Sequence, residues 1–388
     1  MTENDQFAGL ADVLRNIGVP DDEIRSAEQD GPRGLVSLLV DRIFIPGTEQ
    51  LTRLEVAQRV GIDLDEAASF WRALGFPDVS DEDAVFTEVD VEVLRRVVDV
   101  IKSGTVDRDL ALQMTRVMGR SAAQVAAALV DIVRRNATES GSAAQLPQVL
   151  ATTPTLIEDV ERWLVYVWRR HFAAEAKRAA MLTGEDEASR AIVGFADLVG
   201  FSGISQSLDE ETLAAAVSKF EATAVDLVSR HSGRVIKMIG DEVMFEALSA
   251  REGAEIALDL VDAFASDEQL PDLRVGLAEG PAIRNQGDIY GTAPNLASRL
   301  VDAAYPGTVL VSDSIHDALQ DEPDLAFRAV RPQFLKGFGR TRFWVLRKEG
   351  AERPRPMWKV PLPLRAVEIA GRVEEAVDRV TRAGEEAK

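Results

Sequence analysis

Two aspartates in this chain stand where a carboxylate can do chemistry. Asp197 closes an apolar run in GFADLVGFS, and Asp241 falls in a turn between two apolar runs in KMIGDEVMF. Carboxylates at neighbouring strand ends can hold two Mg2+ or Mn2+ ions, which take oxygen ligands and grip substrate phosphates. Either residue alone could equally be a turn former. A third segment, GDIYGTAPNLASRL, puts Asp288 in a turn and Asn295 and Arg299 four residues apart, on one face of a helix. An amide and a guanidinium on one face suit a sugar hydroxyl and a phosphoryl group that gains charge. The small residues Ala293, Ala297 and Ser298 would let that helix lie close to a neighbour, although Arg299 could instead be a surface residue paired with Asp302. The loop Val199 to Ser202, opening a helix, could offer backbone N–H groups to phosphate.

The elements that position these residues form two blocks within 388 residues, a length that suggests two domains. Residues 1–182 read as successive helices. Val93, Leu94, Val97, Val98 and Ile101 make one apolar face of a helix over Val89 to Lys102, with Gly104 as its stop. Asn136 to Gln145 is polar and loop-like, and after Pro154 a run to Thr183 carries Trp163, Tyr166, Trp168 and Phe172 as one long helix. The boundary falls in GEDEASR, Gly184 to Arg190. Beyond it strands and helices alternate: strand Ala191 to Ala196, helix Asp209 to Ser229, strands Arg234 to Ile239 and Glu242 to Glu246, and helix Ala250 to Ala265. Strand Leu273 to Glu279 follows, then a helix around Pro294 to Val301 and short strands ending in Phe343 to Leu346. The βαββαβ order indicates an α+β, ferredoxin-like sheet with helices on one face. The expected architecture is therefore an all-α N-terminal domain over 1–182, a catalytic domain over 187–348 and an extension over 349–388. In that extension Ile369, Val373, Val377 and Val380 lie at helical spacing.

Composition narrows the partners. A formal net charge of −21 argues against nucleic acid, because phosphate contacts need clustered Lys and Arg. An acidic protein that binds a nucleotide needs metal ions to bridge the charge. The chain has no Cys, which removes thiolate nucleophiles and disulfides. No membrane span or signal peptide is evident, so a cytoplasmic location is expected.

Taken together, FADLVGFS, KxxGDE and NLASRL resemble the catalytic domain of class III nucleotide cyclases, over roughly residues 188–347. The resemblance implies that Asp197 and Asp241 bind two metal ions and that Lys237 and Asp288 recognise the purine. It also implies that Asn295 positions the ribose, Arg299 stabilises the transition state, and Lys336 in FLKGFG holds the triphosphate. Adenine offers an acceptor at N1 and an amino donor at N6, which Lys and Asp respectively complement, so ATP is the expected substrate. In this family the metal carboxylates come from one protomer and the purine, ribose and transition-state residues from the other. A chain with both sets should then be a homodimer with two sites. Ala278 and Glu279 stand where many relatives carry Ile and His, and GDEV replaces the commoner GDG; neither departure falls on an implied metal or purine ligand.

Other readings compete. IGDEV resembles the GGDEF signature of diguanylate cyclases, but with Ile239 in place of a Gly. LTRLEVAQRVGIDLDEAASFWRALGFP resembles a DNA-reading helix-turn-helix with Gly61 at the turn and Val56, Ala57, Val60 and Ile62 inside. Residues 1–180 carry 20 Lys and Arg against 30 Asp and Glu, which favours a helix pair used for packing. A helical domain joined by a long helix to this catalytic unit also resembles the soluble, autoinhibited, pH-responsive adenylyl cyclases of mycobacteria. His171, in the connection, is the candidate regulatory residue, since His changes charge near neutral pH; the dense carboxylates could also sense pH collectively.

Overall fold

The computed structural model describes residues 3–45, 47, 49–139, 146–181, 189–206, 208–267 and 270–351. They fall in two compact units, Met1–Arg178 and Ala179–Lys388. The helix expected around Ile369 to Val380, and most of the GEDEASR boundary, lie outside the described residues.

In the first unit, α1 (Glu3–Asn16), α2 (Asp21–Gln29) and α3 (Gly31–Phe44) close around Leu10, Leu14, Ile24 and Leu39. A second core joins β1 (Leu51–Thr52), α4 (Arg53–Val60), α5 (Leu64–Leu74), β2 (Ala84–Phe86), α6 (Glu88–Lys102) and the start of α7 (Arg108–Glu139). Thr52 and Glu55 cap α4 reciprocally, and Gly61 ends it at φ 79°, a conformation open to glycine at little cost. The helix pair α4–α5 thus has the shape read from the sequence, with Val56, Ala57 and Val60 buried.

Three expectations for this unit need correction. It is not all-α, because β1 and β2 form an antiparallel pair that brings Phe86 onto Trp71 with ring centroids 4.5 Å apart. Val93 is exposed rather than part of the α6 core face. It lies about 130° around the helix from the centre of the stripe made by Val91, Leu94 and Val98. The long helix α8 (Leu146–Met181) starts ahead of Pro154, and α7 runs into the stretch read as a loop.

In the second unit β3 (Arg190–Leu198) leads through α9 (Phe201–Ile204) and α10 (Glu210–Arg230) to β4 (Arg234–Ile239) and β5 (Glu242–Ala247). α11 (Ala250–Ala265) and β6 (Leu273–Asn285) complete the βαββαβ order. Next come β7 (Asp288–Gly291), α12 (Thr292–Ala303), β8 (Thr308–Ser312), α13 (Asp313–Leu319), β9 (Leu325–Ala329), the hairpin β10 (Gln333–Leu335) and β11 (Gly339–Thr341), and β12 (Phe343–Lys348). The sheet runs β4-β5-β3-β6-β8-β12-β9, with β7 added to β6. Asp209 and Ser249 cap α10 and α11 by accepting from the backbone N–H three residues on.

Helices were expected on one face of this sheet, but they cover both. On one face α10, α11 and α13 pack Phe220, Leu227, Ile256, Leu260, Phe264 and Ile315 against Ala196, Leu198, Val275 and Leu277. On the other, α12 packs Ala293, Ala297 and Leu300 against Val193, Phe195, Met244 and Ala278. The strand residues of the two cores alternate as the pleat requires, so strands read as buried on both faces need helices on both.

Gly276 sets how near α12 can approach. A Cβ there would stand 2.3 Å from the Ala297 carbonyl oxygen and 2.6 Å from the Val301 nitrogen. Neither backbone atom can move without shifting the helix. Gly276→Ala should therefore destabilise the protein by about 1–3 kcal/mol, read as a lower urea midpoint with an unchanged m-value; an unchanged midpoint would show that the helix is not held at this distance.

Candidate active site

Register carries the first candidate into place. β3 pairs with β5 so that Asp197 faces Glu242, and with β6 so that it faces Arg274. Asp197 shares the face of Val193 and Phe195, four and two residues earlier, which is the face that α12 covers. Asp241 sits in the β4–β5 turn, and its carbonyl oxygen accepts from the Leu198 N–H at 3.1 Å, tying that turn to the end of β3.

Charge is concentrated there. Burial pushes the Asp197 carboxyl up, against the pull of Arg274, with Asp241 and Asp302 adding to the rise. Glu242 is pushed up to about 7 by burial first and then by Asp197, Asp302 and Asp241. Glu242, which no motif singled out, stands in the same carboxylate group. Arg274 was also missed: its Nε lies 2.7 Å from Asp197 Oδ2. The signal was its place on the strand beside β3, legible only once that pairing is known.

The second set gathers around a pocket of 310 Å³ lined by Phe195, Lys237, Met244, Ile289, Tyr290, Gly291, Pro294, Asn295 and Ser298. Lys237, one of these lining residues, donates from Nζ to Asp288 Oδ2 at 2.6 Å. Burial would raise the Asp288 carboxyl, but Lys237, the Ile289 N–H and Tyr290 outweigh it and hold it below the ordinary carboxylate value. Two side chains that lie 51 positions apart in sequence thus meet, one donor and one acceptor, beside the pocket that Lys237 lines. Asn295 reaches this pocket from the first turns of α12, where the close approach at Gly276 places it.

Other candidates stand apart. Arg299 does not line the pocket; it pairs with Asp302 on its own helix at 3.0 Å. Lys336 is exposed in the β10–β11 turn and makes no side-chain bond with the other candidates among the described residues. The Val199 N–H is already given to the Asp272 carbonyl at 3.0 Å, which removes it from the phosphate loop expected at Val199 to Ser202. Ala278 is buried in the core and Glu279 pairs with Arg190 at 3.0 Å, so both departures from the family pattern have structural roles. His171 is exposed on α8.

These features match known proteins along most of the chain. Residues 185–348 match the adenylate and guanylate cyclase catalytic domain, and residues 3–156 match the adenylate cyclase regulatory domain. An adenylate cyclase of Streptomyces coelicolor is 37% identical over 73% of this chain and 75% of its own length. The chain belongs to the class III adenylate cyclases. An adenylate cyclase of Glutamicibacter nicotianae is 33% identical over 87% of each chain, and a pH-sensitive adenylate cyclase of Mycobacterium tuberculosis is 30% identical over 83% of this chain and 82% of its own. The charged groups described above therefore belong to an adenylate cyclase, and among its described residues no helix is long and apolar enough to cross a membrane.

Proposed function

We propose that this cyclase converts ATP to 3′,5′-cyclic AMP and pyrophosphate at two sites, each built from two copies of the chain, with residues 187–348 catalytic on a ferredoxin-like sheet and residues 1–182 regulatory. The observation that carries the reading is the Lys237–Asp288 pair, whose lysine lines a pocket walled by Phe195, Met244 and Asn295. The strand order β4-β5-β3-β6 supports the ferredoxin-like assignment.

In the reaction the ribose 3′-oxygen forms a bond to the α-phosphorus as the bond to the departing pyrophosphate breaks. Lys237 donates to adenine N1 and Asp288 accepts from N6, each giving up the other to do so. Asn295 orients the ribose. Arg299 leaves Asp302 to stabilise the charge on the transferring phosphoryl group, and Lys336 holds the triphosphate. Asp197 and Asp241 are hard oxygen donors at adjoining strand ends and suit Mg2+ or Mn2+. Water and substrate phosphate would supply the remaining ligands of such ions. When bound, two such ions supply a lower pKa at the 3′-hydroxyl and charge neutralisation at the triphosphate.

The diguanylate reading gains nothing from the site, since guanine would present a donor at N1 to the Lys237 ammonium. Replacing Lys237 by Glu together with Asp288 by Cys removes both base contacts. Turnover of ATP, measured as kcat/KM by product chromatography, should fall by roughly two orders of magnitude while the thermal midpoint stays close to wild type. Unchanged ATP turnover would make the pair structural and sink the purine assignment.

Sharing of sites rests on the family resemblance, in which the metal carboxylates Asp197 and Asp241 come from one protomer and Arg299 from the other. Asp197→Ala and Arg299→Ala should each be nearly inactive alone. Mixed dimers contain one site with an intact carboxylate pair and an intact arginine, so mixing should restore part of the activity. Heterodimers that form but remain inactive would rule the shared site out.

Regulation is the last element of the proposal. Support comes from the regulatory-domain match over residues 3–156 and from the pH-sensitive relative. In this reading residues 1–182 restrain the catalytic unit, mild acid relieves the restraint through α8, and His171 is the candidate sensor. Activity of the full chain should rise from about pH 8 to about pH 6, and His171→Ala should flatten that rise; a variant with the wild-type profile would remove His171 as the sensor.

A further inference from the structure

We propose that Arg274 is the resident counter-ion of the cation site: it holds the Asp197 carboxylate when no metal is bound, and a divalent cation must compete with it for that carboxylate. The inference rests on Asp197 and Asp241 being the metal carboxylates. Arg274 and Asp197 are directly opposed on neighbouring antiparallel strands, so their side chains rise from the sheet on one face. Both grips fall on one atom, with Nε 2.7 Å and Nη2 2.5 Å from Oδ2. Oδ1 is the oxygen that Arg274 does not engage.

The surroundings explain why a cation is held there. Asp241 and Asp302 act on Asp197, and with Asp197 they also act on Glu242. The Asp197 side chain is only 15% exposed and that of Arg274 30%, so water screens their attraction less than it would a surface pair. Without a positive charge the group would repel itself whenever the site holds no metal. Arg274 relieves that repulsion on both Asp197 and Glu242.

A guanidinium and a metal ion cannot both neutralise one carboxylate in full. The cation either shares an oxygen pair whose charge is already partly satisfied or displaces the guanidinium. In both cases the apparent affinity drops by the fraction of molecules in which Arg274 must yield. Arg274 is therefore a positioning residue that sets the cation concentration at which the site fills, and it stands apart from the pocket that Lys237 and Asn295 line.

Mn2+ alone, titrated into the full-length protein without nucleotide and followed by the electron paramagnetic resonance of the free ion, tests this directly. Arg274→Gln removes the charge and Arg274→Lys keeps it with a smaller fork; Asp241→Asn is the control for the site itself. Arg274→Gln should bind Mn2+ about tenfold more tightly than wild type, with Arg274→Lys in between and Asp241→Asn losing high-affinity binding. In EDTA Arg274→Gln should melt below wild type, and added Mn2+ should raise its midpoint by more than it raises that of wild type. Equal or weaker Mn2+ binding by Arg274→Gln, with Asp241→Asn still defective, overturns the counter-ion role and leaves the metal reading standing. Wild-type binding by Asp241→Asn removes the metal reading and the proposal with it. Should Arg274→Gln fail to fold, an affinity of Arg274→Lys equal to wild type overturns the proposal on its own.

Discussion

The pairing of β3 with its two neighbours is the constraint on which the rest of the second unit depends. That strand is buried on both faces and supplies Phe195 to the pocket and Asp197 to the carboxylate group, on the same side of the sheet. Because side chains alternate with a period of two, a slip of one residue would send both to the opposite face, among Phe220 and Leu260. Burial of Val193, Ala196 and Leu198 makes such a slip expensive. The core thus guards the register, and the register delivers the chemistry.

A second regularity runs through the charged groups. Asp197 is held by Arg274, Asp288 by Lys237 and Asp302 by Arg299. Four of the groups that would meet metal or nucleotide, Asp197, Lys237, Asp288 and Arg299, thus have an internal partner of opposite sign. In a strongly acidic chain this keeps half-buried carboxylates compensated when no ligand is present, and it makes binding an exchange of partners. Away from the site the same device is purely structural: Glu246 is buried between Arg234 at 3.0 Å and Arg284 at 2.7 Å, closing the ends of β4, β5 and β6 opposite the Asp197 end.

The helix α12 shows how packing and chemistry share one element. Its small residues Ala293 and Ala297 sit fully buried on the sheet, and Gly276 beneath them leaves room for the helix backbone. That closeness brings Asn295 and Ser298 to the pocket wall beside Lys237. A larger residue at any of these positions would lift the helix and widen the gap between the Asn295 amide and the Lys237–Asp288 pair.

Much of this was legible in the residues alone. Asp197, Asp241, Lys237, Asp288 and Asn295 were found because short motifs mark strand ends and turns, where local chemistry and backbone geometry are written together. The order of strands and helices followed for the same reason, since periodicity is a local property. What the chain order could not state was which faces meet. The placing of α12 on the far side of the sheet, the β1–β2 pair that draws Phe86 onto Trp71, the solvent-facing Val93, and the partnership of Arg274 with Asp197 all depend on contacts between segments distant in sequence. Such contacts arise only when strands choose neighbours and helices choose faces, a choice made by total burial and charge compensation across the whole unit and not by any one segment.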